Sequence, residues 1–94
     1  MTYPTSAVLL AIENGHRYGF DIMDATSLPD GTVYPILRRL VRRGVLVGAW
    51  EKKADADAEG RPARRYYALT AVGTESLSAI DARFPTLRTL FRQA

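Results

Sequence analysis

The sequence contains no cysteine and only one histidine, His16. The missing thiols exclude a disulfide scaffold, a zinc finger and a cysteine nucleophile. A single imidazole also makes a histidine-based catalytic or metal centre improbable. The sequence has no phosphate-cradling loop either, so we expect a protein that is not an enzyme and uses no cofactor. A disulfide-free chain of 94 residues is an unusual secreted domain, which favours the cytoplasm.

Long apolar runs are absent as well. The longest fall far short of the roughly 18 residues that span a bilayer, and the first four residues lack the basic end of a signal peptide. We therefore expect no membrane partner. The apolar share of 47% is nevertheless too high for a disordered chain, so the length indicates one small folded domain. A domain this small buries a modest fraction of its surface, which favours a dimer.

The basic residues are concentrated in the middle of the chain. Residues 31–67 carry nine basic and four acidic side chains, a net charge of +5, whereas residues 1–30 have a net charge of −3. Eleven of the thirteen basic residues are arginine. An arginine-rich block suits a partner that bears phosphates, although a merely solvated basic surface is the alternative interpretation.

Hydrophobic spacing predicts three helices in the first half. The first covers residues 6–14, and a short second one covers residues 18–25, with Phe20 and Met23 pointing inward and Ile22 as a further candidate for the inner face. The third begins near residues 30–32 and carries the strongest apolar stripe, formed by Val33, Ile36, Leu37, Leu40 and Val41.

The start of the third helix is inferred from a proline. Pro35 is tolerated in the first turn of a helix, where its missing N–H would have had no partner. That places the cap at Asp30 or Thr32, and Gly44 closes the helix.

The second half predicts a hairpin and a closing helix. Residues 45–51 and 64–69 have strand character, and residues 54–60 are interpreted as a loop at the hairpin tip. Thr70 caps the last helix, and Pro85 either kinks that helix or opens another. The order of helix, helix, helix, hairpin and helix is typical of a winged helix-turn-helix, a mainly α fold with a small β-hairpin.

The acidic segment at the predicted hairpin tip superficially resembles a calcium loop. It reads Asp55-Ala56-Asp57-Ala58-Glu59-Gly60. A calcium loop needs a bidentate glutamate at its twelfth position, where this chain has Tyr66. Three arginines also fall within the loop, so we expect no metal.

The third helix is divided as a DNA-recognition helix must be. At about 100° per residue its apolar stripe lies opposite Arg38, Arg39 and Arg42, with Thr32 and Pro35 near the same outer face. Such a face fits the major groove, which is roughly 12 Å wide. We expect Arg38 to reach a guanine edge or a phosphate, and the other two arginines to contact phosphates.

The predicted hairpin adds further candidate contacts. Arg61, followed by Arg64 and Arg65, is suited to the adjacent minor groove or its phosphates. At the start of the second helix, the Tyr18 hydroxyl is placed to meet the DNA backbone. Trp50, on the first strand, is expected in the core rather than on the surface.

Several short motifs are distinctive in combination. They are Tyr18-Gly19-Phe20-Asp21-Ile22, Gly31-Thr32-Val33-Tyr34-Pro35-Ile36-Leu37-Arg38-Arg39-Leu40, Gly44-Val45-Leu46, Trp50-Glu51, Gly60-Arg61-Pro62-Ala63-Arg64-Arg65-Tyr66-Tyr67, Leu69-Thr70 and Gly73. Together these motifs resemble the PadR family of transcriptional regulators. The resemblance implies a winged-helix fold, a homodimeric repressor or regulator, and a dimer interface built by C-terminal helices. It also implies that Tyr18, Thr32, Tyr34, Pro35 and Arg38 face DNA, and that Arg61 acts with Arg64 or Arg65.

The resulting expectation is a DNA-binding unit over residues 1–69 and a helical dimerisation segment over residues 70–94. The operator would be an imperfect palindrome of double-stranded DNA, and a small ligand or partner would modulate binding to it. A pocket for a small aromatic effector at the dimer interface would be a function additional to DNA binding, not a replacement for it. The alternative function is a winged-helix protein-interaction module that does not bind DNA. The expected dimer contacts are Val72, Leu77, Ile80, Phe84, Leu87, Leu90 and Phe91.

Overall fold

The computed structural model describes residues 1–92, and in this range the chain folds into helices around one antiparallel hairpin. The mainly helical fold with a small hairpin is thus confirmed. None of the helices in this range is long and apolar enough to cross a membrane. The elements are α1 (Tyr3–Glu13), α2 (Gly19–Thr26), α3 (Asp30–Arg42), β1 (Leu46–Trp50), α4 (Lys53–Ala58), β2 (Arg65–Leu69), α5 (Ala71–Arg83) and α6 (Leu87–Arg92).

The first helix lies at the centre of the core. Residues 5–12 are all buried, and α1 contacts α2, α3, α5, α6 and β2. A helix that is apolar on every face is stable only when it is covered on every side. It begins at Tyr3, three residues earlier than predicted, because the Thr2 hydroxyl accepts a hydrogen bond from the Thr5 N–H at 3.3 Å.

Helices α2 and α3 form the helix-turn-helix. The predicted start of α3 is confirmed at Asp30, but the predicted cap is wrong: Pro29 occupies the cap position, and Asp30 Oδ1 accepts from the Gly31 N–H at 2.7 Å. Pro35 lies in the second turn rather than the first. It leaves the Gly31 carbonyl without its helical donor, and both residues are exposed, so water can solvate that carbonyl.

The wing is the hairpin of β1 and β2 together with the segment that joins them. Its register pairs Leu46 with Leu69 at the base and Trp50 with Arg65 near the tip. The predicted tip loop is wrong: residues 53–58 form the short helix α4, because alanine is a strong helix former and Lys53 pairs with Asp57 four residues later at 2.8 Å.

The wing is also tied to the start of α2. The Tyr67 N–H donates to the Arg17 carbonyl at 2.8 Å, and Tyr18 forms an isolated antiparallel bridge with Tyr66. Strand β2 therefore has a backbone partner on each side. As a result the position of the wing is coupled directly to that of the helix-turn-helix.

The C-terminal segment folds back onto the core. Thr70 caps α5 as predicted, accepting from the Gly73 N–H at 3.1 Å. Only glycine fits at position 73, where a Cβ would overlap the Val45 carbonyl. The choice left open at Pro85 is resolved as two helices, with α6 held by Arg88, which bonds Asp81 and Glu13.

Candidate nucleic-acid interface

Helix α3 has one buried and one open face. Val33, Leu37 and Leu40 are buried in the core, whereas Pro35, Arg38 and Arg42 are exposed. Thr32 is half-buried beside the start of the helix. The helix therefore has the predicted division into a buried and an exposed face, and Arg38 and Arg42 are accessible to a partner.

The exposed side of α3 has two flanks with different surroundings. The wing-facing flank consists of Tyr34, Arg38 and Arg42, which line one recess together with Arg65 of the wing. Within the residues whose side chains the structure describes, none of these three arginines has a carboxylate oxygen within 4.0 Å. The recess is therefore positively charged, and no described carboxylate is paired with its arginines.

The α1-facing flank consists of Arg39 and Arg43. Both line a recess next to the N-terminus of α1, and Arg39 Nη2 donates to Thr5 Oγ1 at 3.3 Å. The sequence placed Arg39 with Arg38 and Arg42 on one surface. The structure places it instead on the opposite flank of the helix, about 100° further round than Arg38, where it is half-buried against α1.

Tyr34 fixes the spacing between α2 and α3. Its half-buried ring lies directly against Gly19, and a Cβ at that position would overlap the phenol hydroxyl. Gly19 is buried at the first position of α2. The predicted DNA-facing tyrosine is therefore also a packing residue, and the glycine after Tyr18 is explained by this close approach.

Tyr18 lies where α2, the wing and the exposed surface meet. The Arg64 guanidinium lies 4.0 Å from the centroid of its ring, and the Tyr66 ring packs edge-on at 5.7 Å. A cation this close to an aromatic face is attracted by the ring quadrupole. The structure brings five of the predicted contacts together around one groove: Tyr18, Tyr34, Arg61, Arg64 and Arg65.

Arg61 is engaged within the wing itself. It forms a bidentate ion pair with Glu51, with Nη1–Oε1 at 2.5 Å and Nη2–Oε2 at 3.0 Å. The Arg61 hydrogen bonds, helped by the Arg64 N–H, lower the pKa of Glu51 from 4.5 to about 2, and the carboxylate raises the pKa of Arg61. The sequence favoured Arg61 as the strongest wing contact, but its charge is already matched at the base of α4.

Trp50 is not a core residue. Its side chain is 66% exposed, contrary to the sequence prediction, and the Arg65 guanidinium lies 5.7 Å from its ring and 5.8 Å from that of Tyr67. Trp50 shares a strand face with buried Leu46, but it lies at the tip of the hairpin, beyond the helices that cover the base.

Phe20 is the other misplaced aromatic. It was predicted to point inward, yet it is 72% exposed beside the groove, whereas Ile22 of the same helix is fully buried. Residues two positions apart on a helix point about 200° away from each other, so a buried Ile22 implies an outward Phe20. This signal was present in the sequence.

The residues expected at a dimer interface fall into two groups. Leu77, Ile80 and Leu87 are buried in the core of the single chain, because α5 and α6 pack on α1. They present almost no surface to a second copy. Val72 and Leu90 are exposed, and half-buried Phe84 packs edge-on against Tyr3, with ring centroids 5.5 Å apart. Phe91 lies outside the residues whose side chains the structure describes.

Solved structures with the same architecture come from several bacteria. A PadR family transcription regulator from Clostridium difficile R20291 is 20% identical with a TM-score of 0.76, over 98% of this chain and 97% of that one. A PadR-like transcription factor from Bacteroides fragilis is 24% identical with a TM-score of 0.71, over 95% and 86%. The smu.1704 protein of Streptococcus mutans UA159 is 28% identical with a TM-score of 0.68, over 95% and 88%.

No curated protein sequence matches this chain significantly. The family model of the transcriptional regulator PadR-like family, however, matches residues 8–79, which run from α1 through the helix-turn-helix and the wing into α5. That match covers most of the chain and agrees with the resemblance found in its motifs. The chain belongs to the PadR-like family, whose members are transcriptional regulators and not enzymes.

Proposed function

We propose that this regulator binds double-stranded DNA sequence-specifically, as a homodimer, in the cytoplasm. The wing-facing flank of α3 enters the major groove, and the wing contacts the neighbouring backbone. The protein acts as a repressor on an imperfect palindrome, and a small effector modulates its affinity.

One observation carries the DNA contact. Arg38, Arg42 and Arg65 converge on one exposed recess without a carboxylate partner in the described part of the chain. Convergent guanidinium groups repel one another, and an anion bound between them offsets this repulsion by attracting each of them. DNA phosphates supply such anions, and Arg38, nearest the start of the helix, is the candidate for a bidentate contact to a guanine edge.

The homodimer is supported by exposed apolar side chains on α5 and α6 and on the end of α1 that packs against Phe84. Leu90 is 66% exposed, and Val72 and Tyr3 are exposed as well. A chain of this size gains from covering such residues, since each Å² of apolar surface removed from water contributes roughly 25 cal/mol. Two copies related by a two-fold axis would place their α3 helices about 34 Å apart, one turn of DNA.

The DNA proposal is tested by fluorescence anisotropy with a pool of labelled random duplexes across a salt series. We expect the affinity to fall steeply with salt, by about 0.9 in log–log slope for each phosphate contact, and selection of bound sequences to give a palindrome. Absence of binding at low salt by a folded dimer would contradict the proposal. It would favour the protein-interaction module instead.

The dimer is tested separately by sedimentation velocity. We expect a concentration-dependent dimer that Leu90→Glu weakens, whereas Val47→Glu, the same change at another exposed apolar residue on β1, leaves it intact. Equal effects of the two variants would place the interface elsewhere. A reporter gene behind a selected palindrome then separates repression from activation.

A further inference from the structure

An ion pair closes the segment that joins the two strands of the wing. Arg61 follows the short helix α4, and its guanidinium binds the Glu51 carboxylate through two hydrogen bonds. The Arg61 N–H also donates to the carbonyl of Ala56, the buried residue of α4, at 3.2 Å. Glu51 directly follows β1. The pair therefore ties α4 and the residues that lead into β2 to the end of β1.

Glu51 also holds the backbone of Arg64 by both of its polar groups. The Glu51 carboxylate accepts from the Arg64 N–H at 3.3 Å, and the Glu51 N–H donates to the Arg64 carbonyl at 2.7 Å. One carboxylate oxygen, Oε1, serves both Arg61 and the Arg64 N–H. A bidentate guanidinium orients a carboxylate more strictly than a single hydrogen bond does. The backbone position of Arg64 therefore depends on Arg61, although the two residues are not bonded to each other.

The backbone position of Arg64 decides where the unpaired charges of the wing lie. The Arg64 guanidinium lies 4.0 Å from the centroid of the Tyr18 ring at the start of α2, and the next residue, Arg65, lines the recess assigned to DNA. Among the described side chains, neither arginine has a carboxylate oxygen within 4.0 Å. A side chain that is ordered before binding loses less conformational freedom when it meets its partner. Holding these two arginines in place therefore favours DNA binding.

We propose that Glu51 and Arg61 are positioning residues for DNA binding: their ion pair holds the wing in the conformation that presents Arg64 and Arg65, and neither member of the pair contacts DNA. The proposal rests on the DNA binding proposed above. It gives Arg61 a different role from the groove contact that its motif implies. An acidic side chain near DNA ordinarily weakens binding, because it repels phosphates. Glu51 strengthens binding instead, because its carboxylate keeps Arg64 in place.

The sign of the effect of Glu51→Gln separates positioning from charge. The variant loses a negative charge and releases Arg61, and both changes would strengthen DNA binding if charge alone decided it. We expect instead that the Kd for a selected duplex rises about three- to tenfold in anisotropy titrations. Asp57→Asn is the matched control: it removes the same charge from α4, where Asp57 pairs with exposed Lys53, and should leave the Kd unchanged or lower it. Tighter binding by Glu51→Gln, or equal changes in the two variants, would overturn the proposal.

Replacements of Arg61 test whether the two residues act as one unit. Arg61→Gln should weaken DNA binding as much as Glu51→Gln does, and the double variant should be no weaker than either single variant, because all three break one pair. Arg61→Lys keeps the charge but not the bidentate geometry, so it should not restore wild-type affinity. A loss for Arg61→Gln without one for Glu51→Gln would identify Arg61 as a direct phosphate contact and contradict the proposal.

A measurement without DNA reports on Arg64 itself. Its guanidinium lies over the Tyr18 ring, so the ring current should shift the Arg64 Nε–Hε proton upfield in ¹H–¹⁵N spectra. In Glu51→Gln this signal should move at least halfway toward its position in Tyr18→Leu, which lacks the ring, whereas Asp57→Asn should leave it in place. An unchanged signal in Glu51→Gln would overturn the proposal.

Two further outcomes remain informative. Circular dichroism shows whether the variants are folded, and Arg61→Lys carries the same tests if Glu51→Gln does not fold. Failure of the wild type to bind any duplex would contradict the proposed function. The Arg64 signal would then still decide whether the ion pair holds the wing in place.

Discussion

The two flanks of α3 carry the same kind of side chain in different settings. On the wing-facing flank, Arg38 and Arg42 are exposed and share a recess with Arg65. On the α1-facing flank, Arg39 is half-buried and bonded to Thr5. The arginines of the wing-facing flank are therefore accessible to a partner, whereas Arg39 on the other flank contributes to packing of α3 against α1. Arginine content alone does not identify a DNA contact.

The wing shows the same distinction. Arg61 is matched by Glu51, but Arg64 and Arg65 rest on aromatic rings without a carboxylate within 4.0 Å in the described residues. An arginine paired inside the protein must give up that pair before it can bind a phosphate, and this offsets the gain. The free arginines are thus the better candidates for DNA contact.

The largest expected difference is in DNA affinity. Arg38→Gln with Arg42→Gln should weaken duplex binding about 100-fold, because two charge-assisted contacts are lost. The matched pair Arg39→Gln with Arg43→Gln removes the same charge from the other flank and should weaken it only a few-fold. Anisotropy titrations at one salt concentration measure both, and equal losses would erase the distinction between the flanks.

A change at the contact between α2 and α3 should act on stability. Gly19→Ala places a methyl group against the Tyr34 hydroxyl and should cost about 1–3 kcal/mol of unfolding free energy in urea titrations. Gly31→Ala is the control, since nothing lies within 4 Å of a Cβ there. It should stabilise α3 by about 0.5–1 kcal/mol, and a stabilising Gly19→Ala would refute the role given to Tyr34.

A smaller effect is expected from the bond between Arg39 and Thr5. Arg39→Ala should lower the unfolding free energy by about 0.5–1.5 kcal/mol, through lost packing and one hydrogen bond. Arg38→Ala, fully on the exposed flank, should change it by less than about 0.5 kcal/mol. Thermal unfolding followed by circular dichroism compares the two, and a larger loss for Arg38→Ala would reverse the assignment.

The smallest expected change concerns acid titration of the wing. The pKa of Glu51 lies below its ordinary value, so the ion pair is fully formed above pH 4.5 and is lost as the pH falls toward 2. Carbon-13 spectra of the Glu51 carboxyl should give a midpoint of about 2. In Arg61→Gln the midpoint should return toward 4.5, and an unchanged midpoint would exclude Arg61 as the cause.

Much of the fold follows from the sequence, because helical spacing and strand alternation reflect which faces are buried. The apolar stripe of α3 and the cap at Thr70 are examples. The tip of the wing is not predictable in this way. Trp50 follows the alternation of its strand, yet no helix covers it, and coverage depends on contacts between distant segments. Helix α4 was missed because its acidic residues suggested a loop, although alanine and a Lys–Asp pair favour a helix.

The sequence identifies the candidate residues of the site, but not which of them are already paired with other side chains of the protein. Sequence spacing identifies which side of α3 carries arginines. It does not say which of them are already engaged, since the partners of Arg39 and Arg61 lie 34 and 10 residues away along the chain. Burial of some predicted dimer contacts within the single chain was missed for a related reason. Leu77 and Leu87 are covered by α1 of their own chain, which periodicity within α5 and α6 cannot reveal.

DNA bound on the wing-facing flank would change the surroundings of the arginine side chains there, and these can be observed directly. Arginine Nε–Hε signals in ¹H–¹⁵N spectra can be followed while a selected duplex is added. We expect the largest changes at Arg38, Arg42 and Arg65 and small ones at Arg39 and Arg43. The reverse ordering would contradict this expectation and place DNA beside the N-terminus of α1.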